Sequence, residues 1–175
     1  MFSFLFGCSS FGYPLPDYEK IANKITERTA KELQEQKNLY LVGTGGRMMN
    51  DIQAMDMSFC FYEEVDLKAA KELLIYIIDE YLSAINNNKE IRPYLHEYPF
   101  TAKNVEIRIW IYEPDGSRLS PEKIHYVSSI DGVLDYYIRG SGHRQAICEE
   151  TYEEALKLVK NTDSVQVNLQ VKRQE

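Results

Sequence analysis

The stretch that decides the fold is Leu39–Tyr62, which reads LYLVGTGGRMMNDIQAMDMSFCFY. Two apolar arms flank a glycine-rich segment, Gly43–Gly46, and this arrangement predicts two strands joined by a turn. The second arm alternates between apolar and more polar residues, which is typical of a strand with one buried and one solvated face. The inward side chains are expected to be Met55, Met57, Phe59 and Phe61, and the outward ones Asp56, Ser58, Cys60 and Tyr62.

Two long helices are predicted around this stretch. Leu67–Ile85 is apolar at helical spacing over a broad face, so we expect a mostly buried helix that covers the inward face of the strand before it. Asp66 stands at its N-cap position, and Asn86–Asn88 suits its C-terminal end. A narrower apolar stripe between Asp17 and Asn38 predicts a surface helix that is docked by one side.

The remaining elements are shorter. An Asp131-Gly132 pair between two alternating stretches predicts a two-residue hairpin turn. Thr151 and Glu154 have the spacing of a capping box that opens a short helix. The alternating stretches that predict strands are Asn104–Tyr112, Ile124–Ile130, Val133–Arg139 and Ser164–Lys172.

The predicted order of elements is therefore α-β-β-α-β-β-β-α-β, within one domain that spans residues 17–175. Hairpin connections outnumber βαβ crossovers, so we expect an α+β fold. Its sheet would be mainly antiparallel, with five to six strands and two or three helices packed on one face. The opposite face would then meet solvent or a partner.

Composition limits the classes of partner and site. The chain has 27 acidic and 20 basic residues and a net charge of −7, so it lacks the basic surface that a nucleic-acid partner requires. The three cysteines contain no CxxC pair and the three histidines are scattered. We therefore predict no disulfide framework, no metal site and no cofactor.

Residues 1–16, MFSFLFGCSSFGYPLP, carry no charge and form an apolar leader or tether ahead of the domain. Leu5-Phe6-Gly7-Cys8 resembles the lipobox of bacterial lipoproteins, which implies acylation of Cys8 and a chain tethered in the bacterial envelope. Only seven residues precede Cys8 and none is basic, so this interpretation expects a start codon further upstream. The competing interpretations are an ordered arm on the domain or an apolar tail. The location therefore stays open between the cytoplasm and a tether in the bacterial envelope.

The first candidate binding motif is Gly43-Thr44-Gly45-Gly46-Arg47. Backbone N–H groups of such a loop can converge on an anion, and Arg47 would add a guanidinium fork for phosphate or carboxylate. The spacing matches neither GxGxxG nor GxxxxGK[ST], and the next element is a strand rather than a helix. The competing interpretation is a β-bulge or a wide hairpin turn.

A second glycine-rich, basic loop is Arg139–Arg144, RGSGHR. If it lay beside Arg47, the side chains of Arg139, His143 and Arg144 would complete one pocket for a small anionic ligand. The competing interpretation is a solvated connection between a strand and a helix.

A third candidate is a protein interface at Arg108, Trp110 and Tyr112, which share the outward face of one predicted strand. Arginine and aromatic residues are favoured anchors of protein interfaces. The competing interpretation is that a helix covers these side chains and makes them a second core layer.

Three functions follow from these patterns, in descending order. The first is a non-enzymatic binding or structural domain with a protein partner, tethered to a membrane if Cys8 is acylated. The second is a small-molecule or anion-binding domain that uses the Gly43–Arg47 and Arg139–Arg144 loops. The third is an enzyme, which ranks last because no GxSxG motif, Cys/His/Asn set or catalytic carboxylate pair is present.

Overall fold

The computed structural model describes residues 17–140 and 142–160, which form three helices and six strands. The helices are α1 (Asp17–Lys37), α2 (Leu67–Asn87) and α3, which covers 152–160. The strands are β1 (Tyr40–Arg47), β2 (Ala54–Phe61), β3 (Val105–Ile111), β4 (Ile124–Ile130), β5 (Val133–Ile138) and β6 (Gln145–Thr151).

The six strands form one mixed sheet in which each strand neighbours the next along the chain, from β1 to β6. β2 and β3 are parallel, because the chain crosses between them through α2, and the other neighbouring pairs are antiparallel. The predicted α+β class, with a mostly antiparallel sheet, is confirmed.

The alternation of β2 decides which face of the sheet is buried. Met55, Met57 and Phe59 are fully buried, whereas the residues between them are half-exposed. α2 supplies the other side of this core, with Leu74, Ile78 and other side chains that are completely inaccessible to solvent. The predicted role of Leu67–Ile85 as the cover of the sheet is confirmed, and Asp66 caps the helix by accepting a hydrogen bond from the Ala69 N–H.

α1 and α3 pack on the same side of the sheet as α2. The Thr26 hydroxyl on α1 lies 2.6 Å from the Tyr81 hydroxyl on α2, and both groups are buried. The Tyr152 hydroxyl of α3 donates to Asp79 of α2, and Ala155 is fully buried. The capping box predicted at the start of α3 is present, because the Thr151 N–H donates to the Glu154 carboxylate at 2.8 Å.

The prediction that Gly43–Gly46 forms a turn is wrong, because these residues lie inside β1 and pair with β2. A Cβ on Gly46 would lie 2.5 Å from the Ala54 carbonyl oxygen, and one on Gly45 would lie 2.6 Å from an Asp56 carboxylate oxygen. The glycines therefore allow a close cross-strand approach. The competing interpretation of a bulge is supported, since the register shifts between Leu41 and Gly43.

The predicted order holds through β5, and the structure then adds a strand that the sequence did not predict. β6 occupies Gln145–Thr151 and pairs with β5 along its length, where we expected a loop leading directly into a helix. A register shift opposite Tyr136 and Tyr137 breaks the alternation of this segment. The predicted strand Ser164–Lys172 lies outside the described residues.

Candidate protein-binding face

The face of the sheet that points away from the three helices is called the open face here. It is lined by the outward side chains of β1–β6, since alternate residues of a strand point to opposite faces. Most of these side chains are half-exposed. The surface divides into an aromatic half and a charged half.

The aromatic half contains six rings, which are called the aromatic row. Trp110 lies directly opposite Tyr126 on the neighbouring strand, with ring centroids 5.5 Å apart, and Tyr126 contacts Tyr137 at 5.6 Å. A second group lies just beyond the C-terminal ends of β2 and β3, where the rings of Tyr62 and Tyr112 stack with their centroids 5.9 Å apart. The members of the row are Tyr40, Tyr62, Tyr112, Trp110, Tyr126 and Tyr137.

Arg144 completes the aromatic row from the loop between β5 and β6. Its guanidinium carbon lies 4.0 Å from the ring centroid of Tyr126 and 5.4 Å from that of Tyr137. Such an arrangement is a cation–π contact, and it leaves only 6 % of Tyr126 exposed. At this point of the open face, a planar cation therefore already lies on the rings.

The charged half begins with Arg108 on β3. Its guanidinium nitrogens lie 2.6 Å from a Glu106 oxygen and 3.8 Å from an Asp56 oxygen. Arg47 adds a second cation at the edge of this group, 3.6 Å from Glu106 and 3.1 Å from Asp131. Burial raises the pKa of Asp56, while the Arg108 charge acts in the opposite direction.

A second pair of carboxylates lies further across the open face. Asp135 on β5 and Glu149 on β6 are direct cross-strand partners. Burial raises the pKa of Asp135, and the Glu149 charge raises it further. The ion pairs of Arg47, Arg108 and Lys71 are formed with other carboxylates.

The predicted interface residues Arg108, Trp110 and Tyr112 all lie on this face. The described helices pack on the opposite side, around the core cluster, and leave these three side chains half-exposed. The interpretation in which a helix covers them is not supported by the described part of the chain.

The two basic loops of the predicted anion pocket are not brought together. Arg47 contacts Asp131, which precedes β5, whereas Arg139, His143 and Arg144 follow the end of that strand. A strand of six residues separates the two positions by about 20 Å. The extended Gly43, Thr44, Gly45 and Gly46 pair with β2 rather than curling around a ligand.

Among the described residues, the cysteines and metal-binding side chains form no second site. Cys8 lies outside the described residues, and Cys60 and Cys148 are free thiols that are partly exposed. No group of three or more histidine, cysteine or acidic side chains within the described part of the chain is arranged to hold a metal ion.

Several residues of the open face were missed by sequence reasoning. Tyr126 sits beyond a register shift that follows Ile124, so simple alternation assigns it to the wrong face. Glu149 belongs to the unpredicted β6, and its partnership with Asp135 could not be inferred without that strand. The density of tyrosine, 13 in the chain, was the available signal.

Comparisons of the chain with protein-family models, with curated proteins and with solved structures found no match. None of the helices in the described ranges is both long and apolar enough to cross a bilayer.

Proposed function

We propose that this protein is a non-enzymatic binding domain that holds a protein partner on its open face. The observation that carries the proposal is the aromatic row with Arg144 stacked on it, on a sheet face opposite all three described helices. Tryptophan, tyrosine and arginine are the residues that dominate binding energies at protein interfaces.

The arrangement of these side chains also favours binding. The rings of the aromatic row are carried by paired strands and contact one another, so little conformational entropy remains to be lost on association. Arg108 has partners on both sides, so it would present a fixed guanidinium edge rather than a flexible charge.

Site-specific photo-crosslinking tests the proposal. A benzophenone amino acid replaces Tyr112 or Tyr137 on the open face, and the protein is produced in the cells from which the gene comes. We expect each variant to form a covalent adduct with the same protein after irradiation. The control carries the probe at Tyr98, an exposed aromatic residue between α2 and β3. Equal adducts from all three positions, or none from the open face, would contradict the proposal.

A membrane tether through Cys8 is a separate proposal, which the lipobox-like Leu5–Cys8 segment supports. It predicts that the protein, produced in a bacterial host from the gene together with its upstream coding sequence, partitions into the detergent phase and has the mass of an acylated chain. Cys8→Ser is the control and would remain in the aqueous phase. An unmodified mass for the parent chain would remove the tether and leave the open-face proposal unaffected.

The anion-binding alternative is a weaker proposal. Arg47 is engaged by two carboxylates, so the remaining candidates are Arg139, His143 and Arg144. Arg144 is committed to the aromatic row, which favours its role in the open face.

A further inference from the structure

We infer that the partner contacts the open face through a basic segment, and that this segment places a lysine or arginine side chain between Asp135 and Glu149. This inference rests on the proposed function and specifies the chemistry of the partner. Two carboxylate pairs on the open face support it, because one pair lies against arginine side chains and the other does not.

The first pair is neutralised inside the molecule. Asp56 and Glu106 are register partners on β2 and β3, and like charges in such positions repel. Arg108 lies against both carboxylates, and Arg47 reaches Glu106 from the edge strand. The cations that this pair requires are therefore supplied by its neighbours.

The second pair has the same geometry without the cations. Asp135 and Glu149 face one another on β5 and β6, and the arginines beside the first pair are engaged by other carboxylates. Arg108 does not serve the second pair, because its guanidinium group is held by Glu106 and Asp56, and Ser128 on β4 lies between it and Asp135 in the register. Two strand spacings separate them by about 10 Å.

The aromatic row adjoins this unneutralised pair. Tyr137 follows Asp135 by two residues on the same strand and therefore on the same face. A basic side chain of a partner can lay its aliphatic stem along this ring while its charged end reaches the two carboxylates. Arg144 shows that the rings accept such a cation, since its guanidinium group already lies on Tyr126.

Charge complementarity selects a basic partner over an acidic or neutral one. On the open face, carboxylates outnumber guanidinium groups, and the whole chain carries a net charge of −7. A partner that brings a cation would remove the repulsion between Asp135 and Glu149, and its charge would also speed association.

The test uses a library of random linear peptides displayed on phage, selected on the immobilised full chain. Selected peptides are then synthesised without tryptophan and titrated against the protein. Trp110 is the single tryptophan of the chain and lies in the aromatic row, so its fluorescence reports occupancy of the open face. The test variant is Asp135→Asn/Glu149→Gln, and the matched control is Glu153→Gln, an exposed carboxylate on α3.

We expect the selected peptides to be enriched in lysine and arginine. Their affinity should fall about tenfold or more in the double variant, should be unchanged in Glu153→Gln and should weaken as salt is raised. Peptides without a basic excess, or with equal affinity for the double variant, would overturn the inference.

The same experiment separates this inference from the proposed function. Binding to Trp110→Ala, which has no tryptophan, is measured by isothermal titration calorimetry. Peptides whose binding is lost in Trp110→Ala but is indifferent to Asp135→Asn/Glu149→Gln would support the docking face and reject the basic partner. Failure to select any peptide that depends on Trp110 would reject both. Unfolding curves of each variant confirm that loss of binding is not loss of fold.

Discussion

Lys71 on α2 reaches across the core to Glu150 on β6, with its ammonium nitrogen 2.9 Å from a carboxylate oxygen. The two side chains retain only 15 % and 9 % of their exposure, so this is a mostly buried ion pair that fixes the last described strand to the central helix. Glu150 points inward, opposite Leu134, whereas its neighbour Glu149 points to the open face.

The first prediction concerns this ion pair. Lys71→Met should lower the free energy of unfolding by about 2–4 kcal/mol, because it leaves the Glu150 carboxylate buried without a counter-charge. The measurement is urea unfolding followed by circular dichroism. Lys71→Met/Glu150→Gln is the control and should recover much of the loss. A change below about 0.5 kcal/mol in the single variant would mean that the pair is hydrated in solution.

The second prediction concerns the glycines of β1. Gly46→Ala should destabilise the protein by about 1–3 kcal/mol, because the added Cβ would meet the Ala54 carbonyl oxygen at 2.5 Å. Gly43→Ala is the matched control on the same strand. Its Cβ would meet its nearest neighbour, Ser58 Cβ, at an ordinary 3.6 Å, so its stability should be unchanged or slightly higher. Equal losses in both variants would contradict the close-approach explanation.

The third prediction concerns Asp135 and pH. Because burial and Glu149 raise its pKa, the folded state holds this proton more tightly than the unfolded chain does. The contribution of Asp135 to stability therefore declines as pH rises from its ordinary value of 3.8 through the raised pKa. Asp135→Asn removes this decline, so we expect the variant to melt higher than the parent at neutral pH, by an amount that shrinks in acid.

The control for this experiment is Asp131→Asn. Asp131 forms an ion pair with Arg47 at 3.1 Å, so loss of its charge should leave the melting temperature unchanged or slightly lower. Asparagine tolerates the positive φ of 50° at this turn. A lower melting temperature for Asp135→Asn at neutral pH would contradict the repulsion between Asp135 and Glu149.

The fourth prediction concerns two histidines with opposite shifts. His96 Nδ1 lies 2.7 Å from an Asp51 carboxylate oxygen, and this hydrogen bond raises the pKa of His96 above 6.5 and lowers that of Asp51 below 3.8. Burial, with the nearby Arg139 and Arg144 charges, lowers the pKa of His125 instead. An NMR titration should therefore place the two histidines on opposite sides of 6.5.

Asp51→Asn provides the check on the cause. It should return the pKa of His96 toward its ordinary value and leave that of His125 unchanged. The same pair stabilises the fold only between the two shifted pKa values. Its contribution is lost below the lowered pKa of Asp51, and it is lost above the raised pKa of His96. An unshifted His96 in the parent chain would show that the hydrogen bond does not persist in solution.

The elements that the sequence predicted correctly are those whose periodicity runs unbroken. β2 and β3 alternate without interruption, α2 is apolar over a broad helical face, and Asp131-Gly132 forms the expected turn with both φ angles positive. In each of these elements the conformation follows from residues that are close together in the sequence, so the local pattern was sufficient to predict it.

The failures occur where the backbone departs from strict alternation. The shift after Ile124 reverses the face of Tyr126, and the shift near Tyr137 conceals β6. Gly45 and Gly46 suggested a turn, although their physical role is to let β1 approach β2. The open face was therefore only partly foreseen. Arg108, Trp110 and Tyr112 lie on a regular strand, whereas Tyr126 follows a register shift and the pairing of Asp135 with Glu149 depends on the unpredicted β6.

The parallel pairing of β2 with β3 joins two parts of the sheet whose other strand pairs are between neighbours in the sequence. β3, β4, β5 and β6 form a meander, in which each strand pairs antiparallel with the next one along the chain. Met55 on β2, in contrast, pairs with Val105 on β3, and the whole of α2 lies between them in the sequence. Closing a long loop is entropically costly, so the meander can form before the parallel pairing of β2 with β3, which requires α2 to be folded. The amide hydrogens that join β2 to β3 should accordingly be the last to become protected from hydrogen exchange during refolding.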